Sequence, residues 1–198
     1  MADTDRQTRT TRWRSVLSRL REALSPQAYV RAPDYGPETS GHGRDQWLRQ
    51  LARTRDLLEQ ARDVVARGGW TGGGSWFTVR QADGSVRPAS LAESFELRRP
   101  QAPVAGACLV AIMIRVAEDP DRVPTVDDVW HATDELHEAM HEWLGHDSAP
   151  PGRSYPAAQR RLRLRSLTDW NDERGRTDAE VVELFDRAIA RTIQGAVA

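Results

Sequence analysis

The sequence predicts a mainly α-helical protein: a bundle of about five helices around a buried central helix, with one small β-hairpin and an N-terminal amphipathic helix. Residues 104–117 are apolar on nearly every face and contain one charge, Arg115. This run is too long for a typical strand, fits a buried helix of about four turns and is too short to span a bilayer. The neighbouring segments carry apolar residues at helical spacing, and Asp83-Gly84 between two β-prone runs indicates a hairpin over residues 75–90.

Composition and charge limit the classes of function. The chain has 198 residues and a formal net charge of −1, so its overall charge gives no argument for nucleic-acid binding. All 28 basic residues are arginine, which indicates a GC-rich, actinobacterial source. A single cysteine and a polar start without an apolar signal region predict a cytoplasmic protein with no transmembrane segment.

The first of two predicted units is an N-terminal arm, residues 1–44. Residues 11–24 predict a short amphipathic helix with a basic face, followed by a linker rich in Pro and Gly. The favoured interpretation is an arm that docks on the main domain, and the alternative is binding to a membrane surface or an acidic partner. The apolar stripe of this helix consists of Trp13, Val16, Leu17, Leu20 and Leu24.

The second unit, residues 45–198, is predicted to be the helical domain. Its first helix runs from Asp45 to about residue 67 and stops at Gly68-Gly69. The glycine cluster 72–74 lacks the Gly-Lys-Ser/Thr ending of a phosphate loop, so it predicts a turn.

The later helices are predicted from periodicity and capping. Residues 125–144 form a helix with an apolar inward stripe and an acidic outward side, which the arginines 160–165 of the next helix are expected to face. The last helix begins at Thr177, because Thr177 and Glu180 form a capping box.

Four short motifs are spread over this domain: Gly69-Trp70, the run Ala-Cys-Leu-Val-Ala-Ile at 107–112, Trp170-Asn171-Asp172, and Arg176-Thr177 followed by Glu180-Val181. In these motifs the chain resembles an uncharacterised, mainly actinobacterial family of small helical proteins of unknown function. The resemblance covers about residues 57–189. It implies a fold and no catalytic residues.

The closing motif has a structural and a functional interpretation. Trp170 fills the core, and Asn171 and Asp172 end a helix and turn the chain, because both residue types bond their own backbone. Alternatively, these polar groups line a ligand pocket near tryptophan side chains. The ligand-binding candidates are then Trp70, Trp170, Asn171 and Asp172.

His137, Glu138 and His141 match the His-Glu-x-x-His pattern, in which two imidazoles hold zinc and the glutamate activates water. Asp147 lies where some zinc proteases carry a third ligand. Leu144 occupies the place where that branch has glycine, and only one hairpin is available as a substrate-binding sheet. A zinc-dependent hydrolase is therefore an alternative, and the leading interpretation includes no metal and no cofactor.

Cys108 is the only thiol in the chain and lies in its most apolar run. A buried cysteine that acts as a small hydrophobic residue is favoured, and a cysteine-dependent enzyme is the second alternative. The leading prediction is a non-enzymatic binding or regulatory module that acts through a protein partner or a small molecule.

Overall fold

The computed structural model describes residues 41–99, 102–118 and 126–197. Its described part is mainly helical, which confirms the predicted fold class; the predicted helix 11–24 lies outside the described residues. The helices are α1 Gly41–Val64, α2 Leu91–Leu97, α3 Leu109–Ala117, α4 Val126–Trp143, α5 Ala157–Asn171 and α6 Asp178–Val197. The strands are β1 Phe77–Arg80, β2 Val86–Pro88 and β3 Gly106–Ala107, which form an antiparallel sheet in the order β2-β1-β3.

Helix α3 is buried at the centre of the bundle, as the apolar run predicted. It packs against α1, α4 and α5, and the side chains of Leu109, Ala111 and Met113 are fully buried. The helix is shorter than predicted, because residues 105–108 pair with β1 and its flank. Ala105 donates to the Thr78 carbonyl at 2.8 Å, and Cys108 donates to the Trp76 carbonyl at 3.0 Å.

The hairpin is confirmed at its predicted position. Val79 lies opposite Arg87 across β1 and β2. At the tip, the Asp83 carboxylate accepts a hydrogen bond from the Ser85 amide at 2.9 Å, and Gly84 has a φ of +84°, a value that suits glycine. The third strand, β3, was not predicted, because a two-residue strand inside an apolar run leaves no alternating pattern.

Helix α1 ends in a wide turn, Val65–Gly69, where Gly68 has a φ of +78°. This confirms the predicted stop. Trp70 then leaves in an extended conformation and bridges to Ala107, and Thr71 donates to the Ala107 carbonyl at 2.9 Å. At its other end α1 already includes Gly41, ahead of the predicted start at Asp45.

Helix α4 differs most from its prediction. Its acidic side chains were expected to point outward, but Asp128, Asp134, Glu135 and Glu138 are buried. The reason is that α4 packs against α1, α5 and α6, and arginines of all three helices reach these carboxylates.

Helix α6 begins with the predicted capping box. The Thr177 amide donates to the Glu180 carboxylate at 2.8 Å, and the Glu180 amide donates to the Thr177 hydroxyl at 3.3 Å. Helix α6 runs antiparallel to α1, because Leu51 of α1 lies against Gly195 of α6, whereas Arg62, later in α1, pairs with Asp186, earlier in α6. Within the described ranges, no helix is long and apolar enough to cross a membrane.

Candidate functional site

The residues predicted to bind a ligand come together where α5 ends and α3 begins. We call the set Trp70, Cys108, Trp170, Asn171 and Asp172 the tryptophan–asparagine corner. Trp70 arrives from the end of α1, Cys108 precedes α3, and the other three residues belong to the end of α5 and the turn after it. The fold therefore joins three stretches of chain that are far apart in the sequence.

Asn171 is the central residue of this corner, with a side chain that is 1% exposed. Its Oδ1 accepts hydrogen bonds from the Trp70 indole at 2.8 Å and from the Leu109 amide at 3.2 Å. Its Nδ2 donates to Asp172 at 2.8 Å and to the Thr71 carbonyl at 3.5 Å. Asn171 thus caps the first amide of α3 from a distant part of the chain, and both ends of its amide are used structurally.

Trp170 is buried in the corner, where its ring contacts that of Trp143 at a centroid distance of 5.9 Å. The Arg176 guanidinium lies 3.8 Å from the Trp170 ring centre and donates to the Trp170 carbonyl at 3.2 Å. Arg176 also pairs with Glu180 at 3.0 Å. The closing motif therefore links the end of α5 to the capping box of α6.

Cys108 is buried and occupies the N-cap position of α3. Burial raises the pKa of its thiol to about 11, an effect that outweighs the opposite influence of the Ala111 and Val110 amides. A thiol with this pKa is protonated at neutral pH and is a poor nucleophile. The geometry therefore matches the interpretation of Cys108 as a small core residue.

The residues of this corner, from Trp70 to Asp172, lie within one match to a known family. The model of a family described as a family of unknown function, DUF6197, matches residues 49–191, which is well over half of the chain. The chain belongs to DUF6197. This confirms the expected membership of an uncharacterised family. No curated protein and no solved structure matches the DUF6197 chain.

The histidines of the His-Glu-x-x-His pattern lie side by side on α4 of the DUF6197 chain. The His137 and His141 ring centres are 4.3 Å apart, and His141 and His146 are 5.5 Å apart. Burial, together with the nearby Arg163, lowers the pKa of His137 to about 4, so this imidazole is neutral at pH 7. Across residues 41–99, 102–118 and 126–197, no group of three His, Cys, Asp or Glu side chains is arranged to hold a metal ion.

Glu138 is engaged in structural contacts rather than free to act as a base. Its Oε1 accepts from the Tyr155 hydroxyl at 2.5 Å and from Arg163, and its Oε2 accepts from the Ala149 amide at 2.8 Å. Burial alone raises the pKa of Glu138, but these bonds outweigh it and lower the pKa. Asp147 is exposed on the loop after α4.

A second buried polar region lies between α4, α5 and α6. We call it the charged interface: Asp134, Glu135 and Glu138 of α4, Arg160 and Arg163 of α5, and Arg191 of α6. Sequence reasoning correctly predicted that arginines of α5 face the acidic side of α4, but it did not predict that this side is buried or that Arg191 of α6 reaches it. The Asp134–Arg160 distance is 2.9 Å and the Glu135–Arg191 distance is 3.1 Å. Burial raises the pKa of Asp134 to about 7. The acidic and basic repeats were visible in the sequence, and only the face to which they belong was assigned incorrectly.

Arg191 also fastens the loop 144–156 onto α6. Arg191 is buried, and its side chain donates to the Ala149 carbonyl at 2.6 Å and to the Ser148 hydroxyl at 3.0 Å. The Gly152 amide of the same loop donates to Glu135 at 2.6 Å. The charged interface therefore holds the connection between α4 and α5 in one position.

Beside the tryptophan–asparagine corner lies an open surface that sequence reasoning read as a turn. We call Gly73, Gly74, Ser75, Trp76 and Asp172 the Gly–Trp surface. Gly73 and Gly74 are exposed with φ values of +87° and +83°, and a Cβ at Gly74 would lie 4.0 Å from Asp172 Oδ2. Trp76 is 46% exposed. The sequence did contain a signal for this surface, a large aromatic residue next to a glycine cluster. Trp76 was nevertheless not chosen as a candidate binding residue.

Proposed function

We propose that this protein is a non-enzymatic binding module that recognises a peptide segment of a protein partner through the Gly–Trp surface. The observation that carries the proposal is the exposed indole of Trp76 on a fixed backbone. The Trp76 carbonyl accepts a hydrogen bond from Cys108 at 3.0 Å, and the next side chain, Phe77, is buried in the core. An exposed tryptophan on a rigid support is the residue type that most often dominates a binding interface.

The glycines beside Trp76 add a second recognition element. Among the described residues, no acceptor takes a hydrogen bond from the amides of Gly73, Gly74 or Ser75. Free amides bind carbonyl oxygens, and the adjacent Asp172 carboxylate accepts from N–H groups. A peptide backbone carries both groups, and its side chains can stack on the indole. This combination favours a peptide segment as the ligand.

The state of the catalytic candidates supports binding rather than chemistry. Glu138 accepts three structural hydrogen bonds, His137 is buried and neutral at pH 7, and the raised pKa of Cys108 keeps its thiol protonated. A general base or a nucleophile needs a free reactive atom and a pKa suited to its task. The proposal includes no cofactor.

We also propose a cytoplasmic location in an actinobacterium. The exclusive use of arginine supports the source, since a GC-rich genome favours arginine codons. A single buried thiol supports the compartment, because reducing conditions keep such cysteines free.

Selection from a phage-displayed peptide library tests the proposed function. A selected peptide is synthesised, and its affinity is measured by calorimetry for the wild type and for Trp76→Ala. We expect Trp76→Ala to weaken binding by about tenfold or more. The matched control is Leu162→Ala, which removes another exposed apolar side chain, on α5, and is expected to leave the affinity unchanged. Both variants must keep the wild-type melting temperature.

Amide chemical shifts locate the bound peptide. The largest changes are expected at Gly73, Gly74 and Ser75. If no peptide is selected, or if the selected peptides bind Trp76→Ala as tightly as the wild type, the proposal is wrong.

Metal analysis of protein purified without a histidine tag tests the competing hydrolase. We expect no stoichiometric zinc. Stoichiometric zinc that is lost in His137→Ala would overturn the non-enzymatic proposal in favour of the hydrolase.

A further inference from the structure

In the last two turns of α6, most of the outward side chains are apolar, and the charged side chain points inward. Ile193 is 45% exposed and Val197 is 81% exposed, Ala190 and Ala196 are also exposed, and Gln194 is the one exposed polar side chain of this stretch. The only charged residue of this stretch, Arg191, points inward to the charged interface. We call the exposed apolar residues of this stretch the α6 apolar face: Ala190, Ile193, Ala196 and Val197.

The first half of the same helix has the ordinary arrangement. Its outward residues Glu183, Asp186 and Arg187 are charged, and they pair on the surface: Arg187 with Glu183 at 2.8 Å, and Asp186 with Arg62 of α1 at 3.1 Å. A helix at a protein surface normally keeps charged or polar residues outward along its whole length. The α6 apolar face departs from this pattern, as expected of a surface that another segment covers.

The position of α1 shows which segment of the chain can reach the α6 apolar face. Leu51 of α1 lies against Gly195 of α6, and because the two helices are antiparallel, α1 continues past this level to Gly41. Ten helical residues rise about 15 Å, so Gly41 lies about 15 Å along α1 from the level of Gly195, at the same end of the bundle as the α6 apolar face. Residues 25–40 can span up to about 50 Å when extended, which is ample for residues 11–24 to reach it.

The preceding segment has a matching composition. Its apolar residues Trp13, Val16, Leu17, Leu20 and Leu24 recur at helical spacing, and the face that they would form needs a partner in water. We propose that residues 11–24 dock in cis on the α6 apolar face, with their arginines directed to solvent. Docking of this segment would remove two apolar surfaces from water together.

Paramagnetic relaxation enhancement in the full chain tests the docking. A nitroxide is attached to Arg187→Cys, one turn before the face; native Cys108 is buried and does not compete for the label. We expect the amide signals of residues 13–24 to lose more than half of their intensity. A nitroxide on Arg165→Cys, at an exposed site on α5, is the matched control and is expected to leave them unchanged.

The double variant Ile193→Asp/Val197→Asp, read with the same Arg187→Cys label, should restore these signals. Both positions are exposed, so the fold is retained. Absence of any enhancement from Arg187→Cys would overturn the proposal. Enhancement that appears only between isotope-labelled and spin-labelled molecules in a mixed sample would also overturn it, because a second copy would then be the occupant.

Discussion

The tryptophan–asparagine corner and the charged interface are both buried polar regions, and they satisfy their polar groups in different ways. In the corner, the uncharged side chain of Asn171 forms hydrogen bonds to an indole, two backbone groups and the Asp172 carboxylate. In the charged interface, three carboxylates of α4 meet arginines of α5 and α6 at distances that include 2.9 and 3.1 Å. The corner contains residues from three of the four motifs that the resemblance singled out, whereas the charged interface contains none.

The two regions therefore stabilise the fold in two different ways. A neutral network loses stability when a partner is removed, but it responds little to pH. A network of buried charges loses more when one charge is left without its partner, and it responds to protonation. The two regions should therefore differ both in the size of a mutational effect and in its dependence on pH.

The largest effect is expected for Arg191→Met. Glu135 would keep a buried charge without its partner, and the loop 144–156 would lose its contacts at Ser148 and Ala149. Breaking a buried pair costs about 3–5 kcal/mol, so the free energy of unfolding at pH 7, measured by urea denaturation, should fall by this amount.

Arg187→Met on the same helix is the control for Arg191→Met. Arg187 pairs with Glu183 at the surface, and such exposed pairs contribute less than about 1 kcal/mol. The double variant Arg191→Met/Glu135→Gln should recover part of the loss. Equal effects of the Arg191 and Arg187 substitutions would show that the buried pair has no special importance.

Asn171→Ala should produce the next largest effect, about 2–4 kcal/mol. The substitution leaves the Trp70 indole N–H and the Leu109 amide without their acceptor, and each buried unpaired group costs about 1–3 kcal/mol. The loss should be the same at pH 6 and pH 8, in contrast to changes in the charged interface. Arg174→Ala, in the exposed turn just after, is the control and should change stability by less than about 0.5 kcal/mol. A loss that varies strongly with pH would contradict the neutral character of the corner.

Local signals in the sequence were sufficient for much of the fold. The capping box at Thr177, the hairpin at Asp83-Gly84 and the stop at Gly68 depend on neighbouring residues only, and all three were predicted correctly. The start of α3 was predicted too early because Gly106 and Ala107 pair with β1, and no local sequence pattern predicts that pairing.

The candidate site was predictable only in part, for the same reason. Trp70 and Asn171 were selected from the motifs, but the hydrogen bond of Asn171 to Leu109 joins residues that are 62 positions apart. The pairing of α4 with the arginines of α5 was predicted, but the burial of its acidic side was not, because Arg191 of α6 lies far along the chain. Contacts between distant segments decided both the corner and the charged interface, and a single sequence does not contain them.

His137→Gln tests the pH dependence near the charged interface. Burial and Arg163, with a further contribution from His141, lower the pKa of folded His137 to about 4, against an ordinary value near 6.5, while Glu138 acts in the opposite direction. Between these values the unfolded chain binds a proton that the folded protein does not, so stability falls as the pH decreases from 6.5 towards 4. The variant lacks this loss. Its stability relative to the wild type should rise by about 1–2 kcal/mol between pH 6.5 and 4.5, measured by urea denaturation at constant ionic strength.

His146→Gln is the matched control for His137→Gln. His146 is exposed on the loop after α4, so this variant should follow the wild type across the same pH range. A relative stability of His137→Gln that stays constant with pH would show that His137 does not titrate differently in the folded protein.

Asp134→Asn should have the smallest effect, with the opposite dependence on pH. Burial raises the pKa of folded Asp134 to about 7 from an ordinary value near 3.8, so the folded protein holds a proton that the unfolded chain releases, and stability falls as the pH rises between these values. The amide of Asn can still accept from Arg160, and its NH₂ replaces Oδ1, which has no hydrogen-bond partner among the described residues. The variant should match the wild type near pH 4 and exceed it by about 1 kcal/mol at pH 8, measured by urea denaturation. If Asp134→Asn instead destabilises the protein at pH 8, Asp134 contributes as a charged partner of Arg160, and the charged interface depends on all of its ion pairs.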